Sequence, residues 1–465
     1  MADLLHRQPA RAMAPTGVTQ NTKLFAFSLV FVFSLIVPVT VSVAGFDFPI
    51  YRLVLILLFF PSLFRWLAGN AGRKTAADFC VLFLAIWAAL SFVVLHGVGQ
   101  TWQTIGFHTL ELVGSYMIGR SFVRTPDDFF RVSKTMVIIC IALLPFALYE
   151  ALTEHNMILK FWSYVGPTYR DVDHEVRLGF DRVQGPFQHP IHFGVYCGSL
   201  IGVAYFAATY GKTMGLRVLV LLLVIATAFF SLSSGPLAAM VAQIGMIVWG
   251  LALRQVKHKW WYLFGALVLM YVVIDVQSNR TPFEVMIGYM ALNAQTGFGR
   301  ILIFEYGLQN ALDNPIFGLG FNDWVRPRWM TPSIDMFWMV YPVTHGPLSG
   351  ILLLAMFFFV FFGVVRNKIE SKRVQEFRLG WAISMLGLFM AGWMVHFWKV
   401  PFVYYCFLLA AGAWMADYKQ TEEENQPSAP DDGRGQIRYS RFAGGTPARP
   451  SHQRAAPGRS SGYSI

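Results

Sequence analysis

The chain has 465 residues, of which 55% are hydrophobic and 14% are charged, and its formal net charge is +11. Soluble globular domains carry roughly 25% charged residues, so this composition excludes an ordinary soluble enzyme and indicates a membrane protein. The four cysteines lie in separate apolar runs and form no CxxC pair, which argues against a disulfide framework and a structural zinc site.

The first residues, 1–23, are largely polar and predict a short cytoplasmic segment. The apolar run that follows, Leu24–Val43, is long enough to cross a membrane and predicts an anchor rather than a cleavable signal peptide. Because a helix needs about 20 mostly apolar residues to cross the bilayer core, the sequence predicts about twelve membrane-spanning helices. In chain order they are Leu24–Val43, Ile50–Leu67, Ala76–Leu95, Thr101–Ile118, Thr135–Ala151, Ile191–Tyr210, Leu216–Leu232, Gly235–Leu253, Trp260–Val276, Gly346–Val365, Leu379–Phe397 and Val400–Met415.

The distribution of lysine and arginine predicts the orientation. When the N-terminus is placed inside, the short inner loops hold far more of these residues than the longer outer segments do, as the positive-inside rule requires. The predicted fold is therefore an all-α polytopic protein of an inner membrane, with both termini in the cytoplasm. Much of the positive charge is then a topology signal, and no nucleic-acid partner is expected.

Two outer segments are long, at about residues 152–190 and 277–345. The second is the large loop between the ninth and tenth helices and is predicted to contain short helices, among them Arg300–Asp313. Asn314-Pro315 ends that helix, because the residue before proline disfavours the helical region. The predicted transmembrane domain covers 24–417. The tail 418–465 is rich in serine, proline, glycine and arginine and predicts a disordered cytoplasmic segment.

Outer arginines are candidates for binding phosphate oxygens. Arg177 and Arg182 stand five residues apart shortly before a helix re-enters the membrane, and Arg300 lies in the second segment. The fork of donors on arginine suits bidentate contacts to phosphate without a metal. Arg52, at the outer start of the second helix, is a further candidate phosphate contact, and His189 is a candidate substrate contact. The alternative is that these side chains reach lipid headgroups or pair with nearby carboxylates.

His345 and Glu305 are candidate proton acceptors. A neutral histidine near the water interface is able to take a proton from an attacking hydroxyl; the alternative is a structural histidine bonded to a neighbouring carbonyl. Glu305 lies about 140° from Arg300 around a helix, so the two are not expected to form a same-face ion pair. His108 and Glu111, three residues apart in the fourth predicted helix, could pair with each other and are interpreted as structural.

Trp324 and Trp338 are candidates for stacking on sugar rings, although aromatic belts at membrane interfaces are a commoner cause of such residues. Asp171-Val172-Asp173 has the DxD form of many metal-dependent glycosyltransferases, but it falls on the outer side, where nucleotide sugars are not expected. His189 and His192 are three residues apart and lack a third ligand in the sequence. No metal site and no cofactor are therefore predicted.

Several of these segments resemble the O-antigen ligase and Wzy-type polysaccharide polymerase family of bacterial inner membranes. The resemblance is carried by the arginine-rich stretch Arg177–Pro190, the turn Phe230–Gly235, Arg300 opening a helix, the motif Asn314–Gly320 and His345 opening the next helix. Ligase-like members commonly carry arginine where this chain has Gly235, and asparagine where it has Gly346. The first difference favours a polymerase.

The resemblance implies glycosyl transfer at the periplasmic face, from an undecaprenyl-diphosphate-linked oligosaccharide to a sugar hydroxyl of a second one, without a metal. In this interpretation Arg177, Arg182 and Arg300 bind the diphosphate, and His345 or Glu305 activates the acceptor hydroxyl. Membrane lipid, a chain-length regulator and export proteins are the implied partners. The alternatives are an O-antigen ligase that transfers polymer to the lipid A core and, in another class, a multi-helix transporter or lipid-linked-sugar flippase.

Overall fold

The computed structural model describes residues 22–43, 45–172, 176–282, 284–285, 288 and 294–419. Within them the chain is mostly helical. The predicted cytoplasmic segment up to residue 21, Asp173 of the DxD sequence, and the predicted tail from residue 420 onward lie outside the described residues. The helices are α1 (Thr22–Ser34), α2 (Ile50–Leu67), α3 (Ala76–His96), α4 (Val98–Thr109), α5 (Ser115–Phe122), α6 (Pro126–Thr153), α7 (Met157–Ser163), α8 (Pro190–Ser199), α9 (Met214–Phe229), α10 (Ser234–Ala252), α11 (Lys259–Gln277), α12 (Ala294–Asp313), α13 (Phe337–His345), α14 (Pro347–Arg366), α15 (Lys372–Gly392) and α16 (Val400–Gly412).

Six of the helices that the structure describes are long and apolar enough to cross a membrane, namely α2, α3, α6, α10, α11 and α14. Three shorter apolar helices are Phe25–Ser34, Met214–Phe229 and Val400–Ala416. The prediction of an all-α membrane protein is confirmed in this coarse form, and the count of about twelve crossings stays a prediction. Two of the apolar runs behind that count are interrupted by π-helical turns, Leu110–Gly114 after α4 and Val203–Ala208 beyond α8.

The first apolar run is not one helix. α1 covers only the first part of the predicted span Leu24–Val43, and the run continues into an antiparallel hairpin of β1 (Thr40–Val43) and β2 (Phe46–Pro49). The Thr40 N–H donates to the C=O of Pro167 at 2.8 Å, so the hairpin is also paired with the outer segment that carries the predicted site. The prediction was wrong here because the length of an apolar run does not distinguish a helix from an extended segment rich in valine and threonine.

Two helix boundaries also differ from the prediction. α12 begins at Ala294, so Arg300 lies inside the helix and does not open it; glycines in the first turns are tolerated at a cost of about 1 kcal/mol each. His345 ends α13 and does not open the next helix. Gly346 separates α13 from α14 with a φ of +82°, and a Cβ there would lie 2.2 Å from the C=O oxygen of Ile316. A glycine is therefore required for this close approach of two backbones.

A buried ion pair joins helix ends at the predicted inner side. The Nε of Arg120, in α5, lies 2.9 Å from Oδ1 of Asp78, in α3, and neither side chain is exposed to solvent. The remaining Arg120 donors reach the C=O groups of Ala71 and Arg73 at 2.8 and 2.6 Å. The hydroxyl of Tyr116 also donates to Asp78 at 2.8 Å. The pair is stable in the interior because each charge has several hydrogen-bond partners.

Arg120→Met should destabilise the protein by about 3–5 kcal/mol, because removal of one partner leaves the Asp78 carboxylate buried without its counter-charge. Lys134→Met is the matched control, since Lys134 is an exposed side chain of the following helix. Thermal unfolding of the purified proteins in detergent should show a large loss for the Arg120 variant and almost none for the control. Equal unfolding temperatures would contradict the structural role of the pair.

Candidate functional site

The turn between α9 and α10 binds two of the predicted arginines. Nη1 of Arg177 donates to the C=O of Leu232 at 3.1 Å. Nη2 of Arg182 donates to the hydroxyl oxygen of Ser233 at 2.8 Å, and its Nε donates to the C=O of Ser231 at 3.4 Å. Leu232 has a φ of +44°, which is uncommon for a residue with a side chain. We define this turn, residues 231–233, as the serine turn.

Arg300 reaches the same region from the second of the two predicted outer segments. It is only 7% exposed, and its Nε donates to the C=O of Met394 at 2.6 Å. Its Nη1 is buried and has no hydrogen-bond partner among the described residues. Burial lowers the pKa of Arg300 to about 10, while Asp335 opposes the shift and the charge of Arg177 adds to it. The structure therefore brings Arg177, Arg182 and Arg300 into one neighbourhood, which we call the arginine cluster.

Glycines explain how these segments come so close. A Cβ at Gly235 would lie 2.8 Å from Cβ of Met394 and 2.9 Å from Cγ1 of Val395, so the start of α10 has no room for a side chain. A Cβ at Gly194, in α8, would lie 2.6 Å from Oγ of Ser231. The glycine at position 235 is therefore required by packing between α10 and the loop before α16.

The loop between α15 and α16, residues 393–399, was not predicted to belong to the site. It supplies the carbonyl that binds Arg300, and its Trp398 ring lies 4.3 Å from the ring of His192 and 5.3 Å from that of His396. Nε2 of His192 and Nδ1 of His396 are buried without a hydrogen-bond partner among the described residues. The predicted contact His189 lies near the same ring, at 6.1 Å, and its Nδ1 accepts from the first turn of α8 as a helix cap.

Lys399 is the residue of this loop with the most unusual backbone. Its φ is +57° and its ψ is −118°, although it is not glycine, and such conformations cost about 1–3 kcal/mol and occur mainly at functional sites. Its side chain reaches solvent but is partly covered by neighbouring residues. Partial burial and the neighbouring charge of Arg52 lower the pKa of Lys399, while Glu111 opposes the shift. The sequence signal that could have found this loop is the group of aromatic and basic residues His396–Lys399 between two apolar runs.

Arg52 lies near Lys399. It pairs with a carboxylate, which was the alternative to its predicted contact with phosphate. Its Nε lies 2.7 Å from Oε1 of Glu111, and that oxygen also accepts from the hydroxyl of Tyr51 at 2.8 Å. The pairing of His108 with Glu111 that the sequence allowed is not formed among the described residues. The two residues share a helix face, but the stronger donors on α2 occupy the carboxylate, and the ring of His108 stacks on that of His345 at 6.0 Å.

His345 is enclosed at the far end of α13. Its Nδ1 lies 2.7 Å from Oγ of Ser91, its C=O accepts from Nε1 of Trp87, and its ring meets that of Phe92 edge-on at 4.7 Å. Burial, with a smaller contribution from His108, lowers the pKa of His345 to about 3, so the imidazole is neutral. The Phe337 N–H donates to the C=O of Val395, so the first residue of α13 adjoins the loop that binds Arg300. His345 is eight residues further along, about 12 Å by helical rise.

The remaining predicted site residues lie outside the arginine cluster. Glu305 is exposed and makes no hydrogen bond or ion pair within the part of the chain that the structure describes. Trp324 and Trp338 are buried, and their Nε1 atoms donate to the C=O groups of Pro332 and Phe389, each at 2.9 Å. Neither indole ring offers an open face for a sugar in this structure. Across the described ranges, no group of three or more His, Cys, Asp or Glu residues is arranged to hold a metal ion.

Lys399→Gly should be more stable than Lys399→Ala by about 1 kcal/mol, because glycine adopts a positive φ without the steric cost that alanine retains. Both variants remove the same charge, so their difference isolates the backbone effect. Thermal unfolding in detergent measures it. A Lys399→Ala protein as stable as Lys399→Gly would show that the loop backbone is not strained.

No protein-family model matches the chain, and no curated protein matches it.

Proposed function

We propose that the chain is a glycosyltransferase of the bacterial inner membrane that joins polyprenyl-diphosphate-linked oligosaccharide repeat units into a polymer at the periplasmic face. The observation that carries the proposal is the arginine cluster, in which guanidinium groups from two outer segments lie together beside the serine turn. Arg300 is the most informative member, since it is buried with a donor atom that has no partner among the described residues.

The chemistry of a diphosphate leaving group fits such a cluster. The acceptor oxygen attacks the anomeric carbon of the donor sugar, the bond from that carbon to the diphosphate oxygen breaks, and its electron pair leaves with the lipid diphosphate. Fixed donors aimed at the oxygens where negative charge develops stabilise the transition state without a metal. Arginine supplies this stabilisation with a planar fork that matches phosphate oxygens.

The acceptor hydroxyl must also lose a proton. We propose that His192, and not His345 as predicted from the sequence, is the general base that accepts it. His192 lies on the helix that packs against the serine turn, and its Nε2 has no hydrogen-bond partner among the described residues. Both histidines are buried, so position and not exposure distinguishes them: His345 is bonded to Ser91 and lies about a helix length from the loop that binds Arg300. A neutral imidazole with an unoccupied nitrogen is suited to accept the hydroxyl proton.

Arg300→Ala should abolish long-chain polymer while the protein still inserts into the membrane, because loss of one such donor costs about 10²–10³-fold in rate. Arg300→Lys should retain a small fraction of activity, since it keeps the charge but loses the fork. Arg328→Ala is the matched control, because Arg328 is an exposed arginine of the same outer segment. The measurement is the chain-length ladder of surface polysaccharide in a strain that carries only the variant copy.

The same experiment separates the alternatives. Loss of polymer while single lipid-linked repeats accumulate is the result expected for a polymerase. Free polymer that never reaches the lipid A core would indicate a ligase instead, which performs the same transfer to a different acceptor. Accumulation of repeats that remain on the inner leaflet would indicate a flippase, and an unchanged ladder in Arg300→Ala would contradict the role of the cluster.

His192→Gln should lower the rate of polymer formation by at least about a hundredfold, the usual contribution of a general base. His345→Gln should lower it by less than about tenfold, since only a packing role remains for His345. Initial rates with purified protein in nanodiscs give the comparison, and unfolding temperatures identify a variant that has lost its fold. A larger loss for His345→Gln at equal stability would return the base to His345.

A further inference from the structure

An apolar groove lies beside the hairpin, and none of the residues of the arginine cluster lines it. It has a volume of about 310 Å³ and is lined by Phe46, Phe48, Ile56, Phe59, Phe60, Trp102, Gln103, Gly106, Phe107 and Leu110. Aromatic rings of the hairpin form its outer part: Phe46 meets Trp102 edge-on at 5.5 Å, and Phe48 meets Phe107 at the same distance. The groove is therefore a joint product of β2, α2 and α4.

The groove runs along α2, in the direction that lipid chains take across a bilayer. Its lining continues down α2 from the hairpin to Phe60, which lies ten residues after the start of that helix at Ile50. At 1.5 Å per residue this is about 15 Å, or half of the roughly 30 Å hydrocarbon core of a bilayer. Because α2 is among the membrane-spanning candidates, the groove reaches from the outer boundary towards the middle of the membrane.

The mouth of the groove carries positive charge. The guanidinium of Arg52 lies 4.3 Å from the centre of the Phe107 ring, which lines the groove. Glu111 lies 2.7 Å from Arg52 and offsets its charge. Lys399 adds a further positive charge, and both Arg52 and Glu111 affect its pKa. A lipid with an anionic headgroup is therefore complementary to this place, with its chain in the groove and its head towards Lys399.

We propose that the groove binds the hydrocarbon chain of the lipid-linked diphosphate. This inference rests on the proposed function, and it assigns the donor's chain a site that the arginine cluster does not provide. Lys399 connects the two regions: the ring of its neighbour Trp398 lies 4.3 Å from that of His192 on the helix that packs on the serine turn, and the charge of Lys399 acts on Arg52 beside the groove. A lipid whose chain lies along α2 then presents its diphosphate to the side of the molecule where the guanidinium groups are.

Gly106 gives a direct test, because it lines the groove and a Cβ at this position meets nothing within 4 Å. Gly106→Phe should place an aromatic ring in the groove from a position whose Cβ has open space around it. Gly99→Phe is the matched control, since Gly99 is on the same helix, is equally open and does not line the groove. The probes are undecaprenyl diphosphate and geranyl diphosphate, whose affinities for the purified full-length protein in nanodiscs differ only through the chain.

The wild type should bind undecaprenyl diphosphate at least tenfold more tightly than geranyl diphosphate, and Gly99→Phe should show the same preference. Gly106→Phe should lose this preference while its affinity for geranyl diphosphate is unchanged. A long-chain preference that persists in Gly106→Phe would overturn the groove assignment and leave the proposed function intact. Release of co-purified phospholipid by Gly106→Phe without any change in diphosphate affinity would also overturn it, in favour of a bulk-lipid site. Failure of the wild type to bind either diphosphate would instead overturn the proposed function.

Discussion

The close contact between the start of α10 and the loop of residues 393–399 is the constraint on which the candidate site depends. It is possible because Gly235 leaves no side chain between Met394 and the helix backbone. The contact places the C=O of Met394, which binds Arg300, beside the turn that binds Arg177 and Arg182. Any larger residue at position 235 would push these acceptors apart, so packing at one glycine determines whether charges from two distant segments meet.

A neutral oxygen orients Arg300, and this has a consequence for ligand binding. The C=O of Met394 accepts from the guanidinium of Arg300 and, being uncharged, does not cancel its charge. Burial of a donor without a partner costs about 1–3 kcal/mol, and Arg300 carries such a donor among the described residues. An anion that satisfies this donor removes the cost, and because the donors are already oriented, little reorganisation is needed as charge develops on it. Arg300 is thus suited to an anionic ligand.

Apolar runs predicted long helices such as α2 and α14, because a membrane-spanning helix must satisfy its backbone hydrogen bonds within one continuous segment. The limits of α2 and the end of α12 before Asn314-Pro315 follow directly from the sequence. Proximity of the three arginines was also a reasonable expectation from their residue type. The role of the loop of residues 393–399 could not be expected from the sequence, because it comes from contacts between residues far apart in the chain. His345 shows the converse: its position near a helix end indicated access to water, but packing against Ser91 and Phe92 encloses it.

The hairpin shows why an apolar run near a membrane boundary need not be a span. Strand edges are not tolerated within the hydrocarbon core, since their N–H and C=O groups have no partners there. β1 resolves this by pairing with β2 and by donating from Thr40 to Pro167 in the first outer segment. The same outer segment continues to Arg177 and Arg182, so one set of backbone hydrogen bonds connects the wall of the apolar groove to the arginine-bearing chain. Under the proposed function, a hydrocarbon chain that packs against Phe46 and Phe48 would contact the hairpin that is bonded to the arginine-bearing segment.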